Sequence, residues 1–86
     1  LLGIGHDISL VSRTRNGETR MTARASKLAT SEGLSLAIIM SEVAKQLGGE
    51  GGGHDGAAGW SGSVDIITAE SSFISHVAKV PRSSDR

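Results

Sequence analysis

Apolar and polar positions alternate through the first third of the chain. Ile8-Ser9-Leu10-Val11-Ser12-Arg13-Thr14-Arg15 follows this pattern, and Thr19-Arg20-Met21-Thr22-Ala23-Arg24-Ala25 resumes it. A side-chain repeat of two belongs to a strand, so two strands are predicted. Asn16-Gly17 stands between them. Both central positions of a tight hairpin need a positive φ, which Asn and Gly adopt at little steric cost, so the pair predicts a hairpin. On the second strand Met21, Ala23 and Ala25 share one face, while Arg20, Thr22 and Arg24 share the other. One face is suited to packing and the other is basic.

The period then changes. Leu28 to Gly33 reads as a connector, and Ser35 is placed to cap a helix. Leu36, Ile39, Met40, Val43 and Leu47 recur at helical spacing, which predicts an amphipathic helix over 36–47 with Glu42, Lys45 and Gln46 on its wet side. Gly48-Gly49 ends it, where a positive φ lets the last carbonyls be satisfied. A glycine-rich loop follows, Ala57 to Trp60 predicts a short strand, and Ser61-Gly62-Ser63 a turn. Thr68 is expected to cap a closing helix that carries Phe73, Ile74, Val77 and Val80. Pro81 stops that helix, and Arg82 to Arg86 form a polar tail expected to fray. The fold class these elements predict is α/β: a small mixed sheet containing the hairpin, one long helix, a closing helix, and the glycine-rich loop at the sheet edge. No internal repeat is present.

Length and composition set limits on this picture. The 86 residues allow one domain, 1–86, whose core is only marginally sufficient. The chain opens on Leu1-Leu2-Gly3 rather than Met and is read as a piece of a longer protein. Trp60 and Phe73 are its only aromatic residues, so the core must be mainly aliphatic. Without cysteine there is neither a disulfide framework nor a thiolate metal site. No apolar run approaches the ~18 residues of a membrane span, and no signal pattern opens the chain. A cytoplasmic protein without a membrane partner is expected.

Net charge is zero but unevenly spread. Residues 12–27 hold Arg13, Arg15, Arg20, Arg24 and Lys27 against Glu18, a local charge of +4. Residues 42–70 hold Glu42, Glu50, Asp55, Asp65 and Glu70 against Lys45, a local charge of −4. The basic half points to an anionic ligand approached from one side. Charge alone fits a solvated strand face equally well.

Candidate chemistry concentrates in Gly48-Gly49-Glu50-Gly51-Gly52-Gly53-His54-Asp55-Gly56-Ala57-Ala58-Gly59, where seven of twelve residues are glycine. Few Cβ atoms mean that a ligand can approach the backbone closely. A triphosphate-binding loop would need a following lysine and helix, and a dinucleotide fingerprint would need a preceding strand; here a helix precedes and no lysine follows. What remains is a helix–loop–strand arrangement whose free N–H groups would form an anion nest. A helix cap explains Gly48 and Gly49 but not the five further glycines. His54 in such a loop can donate to a phosphate or a terminal carboxylate, with Asp55 or another acceptor fixing its tautomer; a surface or capping histidine is the plain alternative. Metal binding is not indicated, because His6 and His76 lie in other segments without ligand spacing. The fork of Arg24 suits a phosphate or carboxylate, although an exposed strand arginine is ordinary.

Two of these pieces occur together in one family. Thr22-Ala23-Arg24-Ala25-Ser26 resembles the Ser-x-Arg strand of the DHH-associated domain. Gly33-Leu34-Ser35-Leu36, the helix after it and the run from Gly48 to Gly59 resemble that domain's helix and Gly-Gly-Gly-His loop. The resemblance covers about residues 8–60, more loosely the closing helix, and in its Gly-Gly-Glu-Gly-Gly-Gly-His-Asp form looks most like archaeal RecJ-like single-strand exonucleases. Leu1 to Asp7 match nothing in it, and Trp60 departs from the small residue usual after Ala-Ala-Gly.

The resemblance implies the carboxy-terminal substrate-binding half of a DHH-family phosphoesterase. Arg24, Gly51, Gly52, Gly53 and His54 would hold the substrate's phosphate or terminal group, with Asp55, Lys27 and Trp60 as secondary candidates. Trp60 would either stack on a base or, as the plainer reading, pack in the interior. The resemblance further implies that catalysis belongs to an amino-terminal DHH domain, whose Asp and His residues hold two manganese or magnesium ions that clamp both oxygens of a displacement at phosphorus. No Asp-His-His occurs here, so no catalytic residue, metal or cofactor is expected within these residues. The implied partners are single-stranded nucleic acid or a small phosphorylated substrate, and the protein's own DHH domain. Short oligonucleotides, cyclic dinucleotides or polyphosphate are alternative substrates within the superfamily. From another class, the module could serve as a non-catalytic RNA-binding appendage like the carboxy-terminal domain of alanyl-tRNA synthetases.

Overall fold

The computed structural model describes residues 8–80. The expected hairpin forms from β1 (Ile8–Arg15) and β2 (Glu18–Ala25), in a register that pairs Ile8 with Ala25 and Arg15 with Glu18. Asn16 and Gly17 turn it with φ of 52° and 79°, the left-handed pair a two-residue hairpin demands. Along β2, buried and exposed residues alternate without a break. Thr19, Met21 and Ala23 are inside; Glu18, Arg20, Thr22 and Arg24 are outside.

A short helix, α1 (Lys27–Ser31), occupies most of the stretch expected to be a connector. Five residues are too few to show a helical period, but Ser26 caps it by accepting from Ala29 N at 3.1 Å, and Ala29 is buried. Next comes α2 (Leu36–Leu47), with the expected bounds. Ser35 caps it by accepting from Ile38 N at 3.3 Å, and Gly48, at φ 82°, closes it.

The glycine-rich segment departs from expectation. It is not a loop but a strand, β3 (Glu50–His54), joined through Asp55-Gly56 to β4 (Ala57–Gly62). β4 runs two residues beyond the expected Ala57–Trp60, because Ser61 and Gly62 pair with Arg20 and Thr19 rather than turning. A Cβ on Gly62 would collide with the indole of Trp60, so the position is kept clear for that ring. The last helix, α3 (Ile66–Ala78), is capped by Asp65, which accepts from Thr68 N at 3.1 Å and Thr68 Oγ1 at 2.7 Å. Thr68 is therefore the donor to the cap and not the cap. Ile74, expected on the packed face, is exposed, whereas Phe73 and Val77 are buried and Val80 packs at the margin. Pro81, the polar tail and Leu1 to Asp7 lie outside the described residues.

The α/β class holds. The four strands lie in the order β1-β2-β4-β3, and all three pairings are antiparallel, where a mixed sheet was expected. Two hairpins set side by side need no parallel neighbour. Helices α2 and α3 pack together against the sheet. Between the layers lie Met21, Ala23, Ala58 and Trp60 from the sheet, Leu36, Ile39, Met40 and Val43 from α2, and Phe73 and Val77 from α3. The opposite face of the sheet carries no helix among the described residues, and the candidate site lies there.

Candidate functional site

Register decides which residues meet. In an antiparallel sheet, directly paired residues point to the same face. Arg24 pairs with Ala57, and Ala57 with His54, so Arg24, Ala57 and His54 form one row across β2, β4 and β3 on the outer face. Two strand spacings separate the backbones of Arg24 and His54, about 10 Å. Both side chains are exposed, and the small Ala57 lies between them. The neighbouring row is Thr22, Gly59 and Gly52, a floor with no side chain on two of its three strands. Beyond it stand Arg20, Ser61 and Glu50. Arg20, Thr22, Glu50, Gly52, Gly59 and Ser61 border a shallow hollow of about 420 Å³.

Three hydrogen bonds hold the end of the row in place. Asp55 O accepts from Leu36 N at 3.0 Å, Asp55 Oδ1 accepts from Ser35 Oγ at 2.6 Å, and Gly56 O accepts from Ala25 N at 2.9 Å. The tip of the β3–β4 hairpin is thus tied to the first turn of α2 and to the end of β2. The positive end of the α2 dipole also favours the Asp55 carboxylate there. Asp55 accordingly anchors the hairpin; no hydrogen bond joins it to His54 among the described residues, so the expected tautomer-fixing role is not observed.

The glycines of β3 separate into structural and unexplained ones. A Cβ on Gly51 would strike the Met40 carbonyl, so Gly51 allows the α2 backbone to lie against the strand. Gly53 has φ 140° and would meet Ala57 and Ala58, and Gly49, at φ 83°, would meet the Ser61 carbonyl. Gly52 differs: its φ lies outside the left-handed range and nothing lies within 4 Å of a Cβ built there. The fold does not require glycine at 52. The nest of loop amides is corrected as well, because β3 is a paired edge strand. With His54 and Ala57 closing the hairpin, ladder alternation turns the N–H groups of Gly51 and Gly53 toward the open edge.

The secondary candidates fall elsewhere. Lys27 is exposed at the start of α1, beyond the end of β2. Trp60 is 3% exposed, with Nε1 donating to Gly48 O at 2.9 Å. It points into the core, which fits the packing reading rather than base stacking. The period-two pattern of the hairpin already placed Arg20 and Thr22 on one face with Arg24, and the charge count put Arg13 in the basic half, but of these four only Arg24 was singled out as a site residue. Among the described residues no three His, Asp or Glu side chains gather closely enough to hold a metal ion. None of the described helices is long and apolar enough to cross a membrane.

Comparison with known proteins bears on family and fold. Residues 3–80 match the DHHA1 domain. The chain is 33% identical over 79 residues to an uncharacterized protein of Methanocaldococcus jannaschii, a match that covers 90% of this chain and 24% of that protein. It thus spans about a quarter of that relative's length. Among solved structures, the C-Ala domain of Aquifex aeolicus alanyl-tRNA synthetase superposes with a TM-score of 0.68 at 20% identity, over 84% of this chain and 66% of that one. At that identity the likeness is one of fold.

Proposed function

This chain belongs to the DHHA1 domain family, and from that premise we propose that it is the substrate-binding module of a DHH-family phosphoesterase of the RecJ-like, single-strand exonuclease kind. The observation that carries the reading is the row formed by Arg24, Ala57 and His54 on an open sheet face. Arg24 supplies a fixed positive fork for phosphate oxygens. His54 supplies a ring N–H from the other side, and the bare backbone at Gly52 and Gly59 lets a phosphate settle against the sheet. The edge amides of Gly51 and Gly53 add donors beside His54. Bond cleavage is left to the metal-bearing DHH domain of the whole protein, which works in the cytoplasm on single-stranded nucleic acid. These residues grip the substrate; they do not cut it.

The test is substrate affinity in the full-length protein at low salt, where phosphate contacts are least screened. A hydrogen bond to a charged group is worth ~1.5–3 kcal/mol, so R24A is expected to weaken binding by about one to two orders of magnitude. H54A should weaken it as well. Unchanged affinity in both variants would remove the site. Because the fold is shared with a synthetase domain, a non-catalytic RNA-binding role is the second reading; hydrolysis of oligonucleotides by the full-length protein decides between the two.

A further inference from the structure

The open face continues past the Arg24–His54 row to a second cationic cluster. Arg13 and Arg15 alternate with core-side residues of β1, which sets them on the same face as Arg24. Arg13 stands directly opposite Arg20 of β2, an unfavourable placement of like charges in a sheet. Glu18 offsets it only in part, through Oε1 at 3.2 Å from Arg20 Nε. Arg13, Arg15, Arg20 and Glu18, with Val11 and Thr22, line a hollow of about 550 Å³. Three guanidinium groups and one carboxylate, the latter paired with Arg20, thus surround a depression open to solvent.

The register puts both clusters on one track. Arg24, Thr22 and Arg20 are successive outward residues of β2, so the track runs ~13 Å from Arg24 to Arg20. Thr22 offers a hydroxyl midway, and Val11, paired with it and 62% exposed, offers an apolar surface beside it. Glu50 ends the Arg13–Arg20–Ser61 row on β3. Its charge disfavours an anionic chain at the Glu50 end of β3 and favours a path over β1 and β2 there. A strand stacked at ~3.4 Å per nucleotide covers this length with about four nucleotides.

We propose that Arg13, Arg15 and Arg20 form a second phosphate-binding cluster, and that the phosphodiester backbone of a single-stranded nucleic acid runs along the outer face from His54 and Arg24 to it. The proposal rests on the phosphate-binding reading of Arg24 and His54 and adds length to it. The domain binds a chain of about four or more nucleotides more tightly than a shorter one, which reaches the first grip alone.

The experiment compares a 5′-phosphorylated thymidine dimer with a thymidine dodecamer, binding each to the full-length protein at low salt without divalent metal. R13Q/R15Q is expected to weaken the dodecamer at least tenfold and to leave the dimer within twofold of wild type. The slope of log affinity against log salt for the dodecamer should become shallower by about 1.4, at ~0.7 per lost phosphate contact. R13K/R15K, which keeps the charges, should retain most of the affinity and guards against a folding artefact. Dodecamer binding within twofold of wild type in R13Q/R15Q overturns the proposal, and so does an equal loss for both lengths. R24Q serves as the separate control, since it should weaken both lengths alike. If R24Q changes neither while R13Q/R15Q weakens the dodecamer alone, the first grip is wrong and the distal cluster stands.

Discussion

Gly51 and Gly52 are neighbours in one strand, yet substitution by alanine should move stability in opposite directions. The Gly51 Cβ would enter the space of the Met40 backbone, with the carbonyl carbon 2.8 Å away. Backbone in the middle of α2 cannot swing aside as a side-chain tip can, so helix and strand must separate. Overpacking of this kind costs ~1–3 kcal/mol, and the upper part of that range applies here. For a domain of this size, ~1 kcal/mol moves Tm by ~4–8 °C, so G51A should melt ~10–20 °C below wild type. At Gly52 a Cβ meets nothing, and φ lies outside the range that disfavours side chains. Replacing glycine at such a position stabilises by ~0.4–1 kcal/mol through the unfolded chain; G52A should melt a few degrees higher. If glycine at 52 serves a ligand, G52A should nevertheless bind oligonucleotide more weakly. Thermal melts followed by circular dichroism, with anisotropy titrations of the same samples, read both effects. A G51A melt within about 2 °C of wild type, or a G52A melt clearly below it, would refute the division of these glycines into structural and ligand-facing.

Two further outcomes follow from the packing and the caps. W60F keeps most of the ring but leaves Gly48 O without its indole donor, so it should lose ~1–3 kcal/mol in chemical denaturation; wild-type Trp60 emission should stay unchanged on saturation with oligonucleotide, and strong quenching would restore the stacking role. Asp65 has its pKa lowered from the ordinary 3.8, first by the hydrogen bond from the Thr68 hydroxyl and then by that from the Thr68 amide. Because the folded value is the lower one, this contribution is present above the unfolded pKa and lost as pH falls through the folded one. D65N should therefore show a smaller drop in Tm than wild type between neutral pH and pH ~3, and an identical drop would argue against the cap as its source.

How far the molecule could be read from its residues depended on side-chain period. The β1–β2 hairpin and α2 were legible because Met21, Ala23 and Ala25, then Leu36, Ile39, Met40 and Val43, repeat at strand and helix spacing. β3 was not, because Gly51-Gly52-Gly53 has no side chains with which to show alternation, and its strand geometry comes from pairing with β4 and from the close approach of α2. α1 was hidden by its length of five residues. At the site, Arg24 and His54 were each visible as chemistry. Their shared row was not, since it depends on Ala57 standing between them in a pairing of strands far apart in sequence. Asp55 looked like a partner for His54 by adjacency; the first turn of α2 claims it instead.

Substrate phosphates should bind on the outer face of the sheet, around Arg24 and His54. Backbone amide shifts of this domain, followed by NMR during titration with a 5′-phosphorylated thymidine oligonucleotide at low salt, locate the contact directly. The largest changes are expected at Gly51, Gly52, Gly53, His54, Thr22 and Arg24, extending to Arg20 and Arg13 with the longer strand. Changes centred on the α2–α3 side, around Ile38, Glu42 and Lys79, with the outer face silent, would contradict that placement.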